Sequence, residues 1–394
     1  MKILMVNKFL YPNGGSETYI FKLGEYITSI GHEVQYFGME DERNIVGNKV
    51  GSYTSNMNFH GNYLTKLIYP FKIIYSFEAR KKIRQVLNDF KPDVVHLNNF
   101  NFQITPSIIY EIKKDKLPII FTAHDYQLVC PNHMLYDLKT KGMCNKCLDG
   151  NYANCLKNKC VHGSVMKSIL GMMEATLYKM LHTYRKIDKI ICPSQFLERK
   201  LVTNKDLKSK TVAIHNFIDL VEAKEVVKED YILYFGRFSE EKGIKNLIKV
   251  CKELPYIKFV FAGSGPLEEE LSGITNIKNI GFQHGQTLED IIRKAQFTLY
   301  TSEWYENCPF SVMESQMYGT PVIGANIGGI PELIEVGKTG LLFESGNIDD
   351  LKDKILTLWN DKVICEEFSK NCLNVNFNTV FDYSEQLLTI YKNC

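Results

Sequence analysis

Short apolar runs recur along the chain, each closed by a turn and followed by a stretch with helical periodicity. In the first half these runs are Lys2–Asn7, Glu33–Phe37, Asp93–Asn98, Pro118–His124, Lys189–Ser194 and Thr211–Asn216. In the second half they begin at Tyr231, Lys258, Ile277, Phe297, Pro321 and Gly340. Helical patterns fill the spaces between them: Ser16 to about Ile30, Thr105 to Lys114, Val165 to about Lys186, the segments after Gln195 and Gly243, and much of residues 347–394. Ser16 and Ser194 stand where helix caps are expected. Strands alternating with helices predict parallel sheets covered on both faces.

The alternation breaks at residues 220–229, which are charged and lack a core pattern, as a domain boundary would. We therefore expect a first domain over 1–218 with a cysteine-rich insert at 126–163, a second over 219–375, and a last helix over 376–394 that crosses back to the first. Ligands of such sheets sit beyond the carboxyl ends of the strands. That criterion selects the Gly14-Gly15 turn after the first strand and His124 after the fourth. In the second half it selects Arg237 and Lys242, then Gly263 and Gly265. The two cations suit a diphosphate, Arg as a planar fork and Lys as a point charge. Glycines at 263 and 265 would admit a close backbone approach by a nucleotide.

The densest chemistry lies in Thr301–Gly319. Glu306 and Glu314 stand eight positions apart, and Pro309 falls where a helix would begin. Glu306 would then lie in the loop and Glu314 about one turn into the helix. The N–H groups of Phe310, Ser311 and Val312 would be free to meet an anion. Glu314 is placed to accept hydrogen bonds from ribose hydroxyls.

Glu-x7-Glu, with Pro-Phe-Ser-Val-Met between and Gly-Thr-Pro-Val-Ile after, resembles the signature of the retaining GT-B glycosyltransferases of the group 1, or family 4, type. Gly236-Arg237-x4-Lys242-Gly243, Thr122-Ala-His124-Asp125 and the closing turns at Ile327–Glu332 and Gly340–Phe343 are similar to that family's motifs in the same order. Asn216-Phe217-Ile218-Asp219 resembles the family linker, with Phe217 in place of the usual Gly. The resemblance implies an α/β fold of two Rossmann-like parallel-sheet domains facing a cleft. It implies transfer of a sugar from a UDP-sugar or GDP-sugar to a hydroxyl, with retention and no catalytic divalent metal. Glu306 would hold the donor's sugar hydroxyls, Arg237 and Lys242 the diphosphate, and Glu314 the ribose. Phe282 would lie in the turn beside the base, His124 beside the transferred sugar, and Gly14-Gly15 against the sugar-phosphate and acceptor. A phosphorylase or epimerase on the same fold, and a non-catalytic scaffold of a polysaccharide assembly complex, remain open alternatives.

Composition adds two features. Net charge is +2 overall, but residues 1–200 hold 27 Lys and Arg against 17 Asp and Glu. The stretch Lys66–Phe90 mixes basic and aromatic residues and predicts an amphipathic helical pair. A basic first half suits an anionic partner, with a membrane surface or lipid-linked phosphate ahead of nucleic acid, for which no motif is present. The expected acceptor is a glycan or polyprenyl-linked glycan of a bacterial capsule, O-antigen or exopolysaccharide. The expected place is the cytoplasm, at the inner face of the membrane, since no apolar run reaches spanning length. Of eleven cysteines, five fall between Cys130 and Cys160. Cys144-x2-Cys147 has zinc-knuckle spacing, and Cys155 with Cys160 would complete a structural zinc site, Cys130 being a substitute ligand. Free thiols and disulfides are the alternatives.

Overall fold

The computed structural model describes every residue except 57–71, 102–103, 220, 222–223 and 225. The chain forms two compact units, Met1–Asn216 with Val380–Cys394, and Phe217–Thr379. In the first unit the strands are β1 (Lys2–Val6), β2 (Glu33–Phe37), β3 (Val94–Leu97), β4 (Ile119–Thr122), a short hairpin β5 (Tyr136–Asp137) and β6 (Gly142–Met143), β7 (Lys189–Cys192) and β8 (Thr211–Ala213). All but the hairpin join one parallel sheet in the order β2-β1-β3-β4-β7-β8. Every residue of β3 and β4 is buried, as strands covered on both faces must be.

The helix Val380–Lys392 belongs to this first unit and buries Tyr383, Leu387, Leu388 and Tyr391. Its two tyrosines close a buried polar chain. The Tyr383 hydroxyl meets that of Tyr19 at 2.9 Å, and Tyr19 meets the Thr122 hydroxyl at 3.1 Å. Tyr391 reaches Nδ1 of His96 at 2.5 Å, while Nε2 of His96 reaches Thr122 at 2.8 Å. Burial pushes the His96 pKa down to about 3, so its imidazole is neutral.

The second unit holds β9 (Ile232–Phe235), β10 (Phe259–Ala262), β11 (Ile277–Asn279), β12 (Thr298–Tyr300), β13 (Val322–Ala325) and β14 (Gly340–Phe343). They form a parallel sheet in the order β11-β10-β9-β12-β13-β14. The strand order reverses between β1 and β3 in the first sheet and between β9 and β12 in the second. Those two crevices are where ligands of doubly wound sheets bind.

Several local expectations change. Ser16 is not the cap: the helix Gly15–Ser29 starts from Gly14, which is extended and offers no side-chain cap. The Ser16 hydroxyl instead donates to Glu17 (3.0 Å) and accepts from Asn99 (2.8 Å). The helix from Val165 ends at Met180, and His182, in the left-handed region at φ +48°, turns the chain into a short 3-10 segment, Thr183–Lys186. Of the proposed basic pair, Phe77–Phe90 is a helix, whereas Lys66, Tyr69 and Phe71 lie outside the described residues. Arg80 and Arg84 both bind the buried carboxylate of Glu111 at 2.8 Å, and Arg84 also binds Asp115 at 2.5 Å. Two of that helix's cations are thus neutralised within the protein. Among the described residues no helix is long and apolar enough to cross a membrane.

Candidate active site

Glu306 sits in the loop between β12 and the helix Phe310–Met317. Its Oε1 accepts from the Lys242 ammonium, from the Ser302 hydroxyl (2.9 Å) and from the Trp304 indole N–H (2.5 Å). Burial pushes the carboxyl's pKa up, but the ammonium and the three donors outweigh it, so the pKa falls below 4.5. Burial likewise opposes the charge on Lys242, and Glu306 overrides it, raising the ammonium's pKa above 10.5. Lys242 also donates to the Tyr300 hydroxyl at 3.3 Å and lies 5.5–5.6 Å from the Tyr300 and Trp304 ring centres.

This pairing follows from sheet order. Lys242 follows β9 and Glu306 follows β12, neighbouring strands at the reversal point. The two loops are fastened by backbone. Glu303 N–H donates to the Glu241 carbonyl (2.8 Å), and the Thr301 hydroxyl to that of Lys242 (2.8 Å). Behind Glu306, Gly329 N–H donates to its carbonyl at 2.7 Å. Gly328, at φ +64°, packs so closely that a Cβ there would stand 2.3 Å from the same oxygen.

Arg237 is exposed at the end of β9 and makes no ion pair among the described residues. Gly263 and Gly265 do approach a backbone closely, but it is the protein's own. A Cβ at 263 would lie 1.9 Å from the Gly236 carbonyl oxygen, and one at 265 would lie 2.4 Å from that of Phe238. Both pack against the loop that carries Arg237. Phe282 is 70% exposed in the turn after β11. Pro309 caps the helix Phe310–Met317, and Glu314 lies part-buried just past its first turn. Of the three N–H groups expected to be free, that of Val312 donates to the Pro309 carbonyl at 3.2 Å, leaving Phe310 and Ser311.

In the first unit the reversal point lies between β1 and β3. Gly14 and Gly15 are exposed there. Asn7 anchors their loop, donating to Glu17 at 2.9 Å and accepting from Asn99 N–H at 3.0 Å. His124, just past β4, places Nε2 2.9 Å from Oδ1 of Asn98 and packs edge-on to Tyr19 at 5.1 Å. Burial lowers its pKa to about 4, with Asp125 opposing, so it is neutral near pH 7. Asn98 is fully buried, and its Nδ2 has no partner among the described residues. Asn98, Trp304 and Ser302 were not singled out in the sequence. A polar residue directly after a buried strand was the available signal for Asn98.

The five clustered cysteines come together around one small apolar void. The expected four-cysteine ligand set is not formed: among the described residues no group of three or more metal-capable side chains is arranged to hold an ion. Cys130 donates to Asn132 at 2.8 Å, and burial pushes its pKa up to about 11 and that of Cys147 to about 12. A hydrogen bond with Cys160 raises the Cys155 pKa further, and the same bond lowers that of Cys160.

Two doubly wound parallel-sheet domains, with an ion-paired carboxylate at the reversal point of the second, fit a GT-B fold. Comparison with known proteins agrees. Residues 13–222 match the family described as Glycosyltransferase Family 4, and residues 219–374 match Glycosyl transferases group 1. The chain belongs to this glycosyltransferase family. It is 26% identical to an uncharacterized 42.6 kDa protein in the cps region of Klebsiella pneumoniae, over the full length of both chains. It is 25% identical to the poly(ribitol-phosphate) alpha-N-acetylglucosaminyltransferase of Staphylococcus aureus, across 63% of this chain and 52% of that one. The fold resembles a crystal structure of Anabaena HepE in complex with UDP, with a TM-score of 0.71 at 16% identity, covering both chains fully.

Proposed function

We propose that the chain transfers a glycosyl unit from a UDP-sugar to a hydroxyl of a glycan or polyprenyl-linked glycan, with retention, in the synthesis of a bacterial surface polysaccharide such as a capsule. The observation that carries this reading is the Lys242–Glu306 pair at the β9/β12 reversal point, with Arg237 exposed in the loop that carries Lys242. Supporting the donor is the UDP bound by HepE; supporting the pathway is the cps-region relative.

In this reading Arg237 and Lys242 neutralise the diphosphate, where negative charge grows as the glycosidic bond breaks. The N–H groups of Phe310 and Ser311 add to that cradle. Glu306 accepts hydrogen bonds from the sugar hydroxyls, Glu314 from the ribose, and Phe282 packs on the base. Lys242 serves two partners, so donor binding draws its ammonium from Glu306 toward phosphate and leaves the carboxylate to the sugar. His124 and the Gly14-Gly15 turn serve the transferred sugar and the acceptor. The C1–O bond to the diphosphate breaks and the C1–O bond to the acceptor forms on the same face. The acceptor proton passes to the departing diphosphate. No step is assigned to a divalent metal. The place of action is the cytoplasmic side of the membrane, reached through the basic first unit.

The test is product analysis by proton NMR after incubation with an α-configured UDP-sugar and a lipid-linked glycan acceptor. An α-linked product, lost in Glu306→Ala, is expected. A β-linked product would reject retention, and an epimerised or phosphorolysed donor would reject transfer.

A further inference from the structure

The helix Val165–Met180 carries its amphipathicity reversed. The three side chains it buries, Ser168, Glu174 and Tyr178, all bear polar groups. Met172 and Ala175 pack half-buried against the cysteine cluster. The outward face is apolar. Met166 is 65% exposed and Met180 74%, and Val165, Met173 and Leu181 are exposed as well. Ile169 and Leu177 lie half-buried between them, and Thr176 adds one hydroxyl. Met166, Ile169, Met173, Leu177 and Met180 follow one another at intervals of three or four, so they form a continuous stripe. Contiguous apolar surface rimmed by polar residues marks a contact with protein or membrane.

The rim decides between these. Residues 157–186 hold Lys157, Lys159, Lys167, Lys179, Arg185 and Lys186 against one carboxylate, Glu174, which is buried. All six cations are exposed. Arg185 is paired with Asp206 at 2.6 Å. The five lysines pair with no carboxylate among the described residues. Lys179 donates to the Gly150 carbonyl at 3.0 Å, and Lys186 lies 5.6 Å from the Tyr110 ring centre. Helical spacing puts Lys167 and Lys179 on opposite sides of the stripe. A second copy of this chain would bring the same cations face to face, because a two-fold contact uses one patch twice. An anionic lipid surface matches both the stripe and its rim.

We propose that this helix docks the first unit on an anionic membrane surface, with Met166, Met173 and Met180 entering the boundary between headgroups and acyl chains and the lysines meeting lipid phosphates. Unbranched methionines adapt to an irregular apolar surface. Each lysine near such a surface strengthens association about fivefold. The helix Phe77–Phe90 is less suited, because Arg80 and Arg84 are neutralised by Glu111. The docking face would bring the enzyme to the lipid-linked acceptor proposed above, but it stands on this surface alone.

Flotation of the full chain with phosphatidylcholine vesicles, with and without phosphatidylglycerol, tests the face. No nucleotide is present, so the outcome is separate from that of donor binding. Met166→Gln with Met173→Gln and Met180→Gln keeps helix propensity and removes the stripe. Lys157→Gln with Lys159→Gln and Lys167→Gln removes half of the rim. The parent is expected to float with phosphatidylglycerol vesicles, and less so as salt is added. Association should weaken about tenfold or more in the methionine variant, and in the lysine variant it should weaken and lose much of its salt dependence. Circular-dichroism melting of both variants, expected to match the parent, shows that folding is intact. No flotation of the parent, or flotation equal in the parent and either variant, overturns the proposal. So does a parent dimer in sedimentation that the methionine variant splits, with no flotation, which would make the stripe a contact between copies.

Discussion

Replacing Lys242 by Met leaves the Glu306 carboxylate with only the Ser302 and Trp304 donors. At contact range and an effective dielectric near 20, the pair's Coulomb energy is about 4 kcal/mol. Side-chain exposures of 11% for Glu306 and 21% for Lys242 trim that figure. We expect a loss of about 3 kcal/mol at pH 7, near the lower end for breaking buried pairs. The sign with pH is distinctive. In the parent the Glu306 pKa is depressed, so its contribution is present above the unfolded value, about 4.3, and fades as pH falls through the folded value. In the variant burial acts with much less opposition and raises that pKa, so stability is lost as pH rises through it. The gap between the two proteins is therefore widest near neutrality and closes towards pH 4. Urea unfolding followed by tryptophan fluorescence reads it cleanly, because both tryptophans, Trp304 and Trp359, lie in the second unit. A cycle with Glu306→Gln should return a coupling of about 2 kcal/mol. A loss below about 1 kcal/mol, unchanged between pH 7 and pH 4, would refute the reasoning and mark an ordinary surface pair.

Gly328→Ala drives a Cβ into the Glu306 carbonyl from a left-handed backbone, and should cost about 1–3 kcal/mol in urea unfolding while lowering kcat. Phe282→Ala should weaken nucleotide binding about fivefold or more by calorimetry, the lower range for losing an aromatic platform under a base, with little change in stability because the ring is exposed. His96 is neutral in the fold and protonates when unfolded below about pH 6.5, so the first unit should lose stability as pH falls from there towards 3, by up to about 4 kcal/mol. Hydrogen exchange of β3 and β4 across that range reads the loss, which His96→Asn should flatten.

The central strands were legible because they are buried on both faces and so read as unbroken apolar runs, as at Val94–Leu97 and Ile232–Phe235. Glu306 and Arg237 were legible because their motifs sit directly after such runs. The Lys242–Glu306 contact was not: it joins positions 64 apart and depends on β12 pairing with β9, which local pattern does not encode. Glycines are ambiguous in a related way. Gly263 and Gly265 signal close approach correctly, yet the neighbour is the backbone of the adjacent loop. Ser16 carries a capping residue type, but Asn7 and Glu17 fix the turn one step earlier and draw its hydroxyl into their network. Cysteine spacing brought five sulfurs to one place without arranging any three of them around an ion.

The central claim, a nucleoside diphosphate sugar held at the β9/β12 reversal point, is tested most directly by thermal shift with UDP, GDP and their sugars. A ligand specific to the native state raises stability by about 2.7 kcal/mol at a hundredfold excess over Kd. The account predicts that UDP and a UDP-sugar raise Tm, and that Arg237→Ala removes the shift while leaving the unliganded Tm nearly unchanged. No shift with any nucleotide, or a UDP shift indifferent to Arg237→Ala, would contradict it.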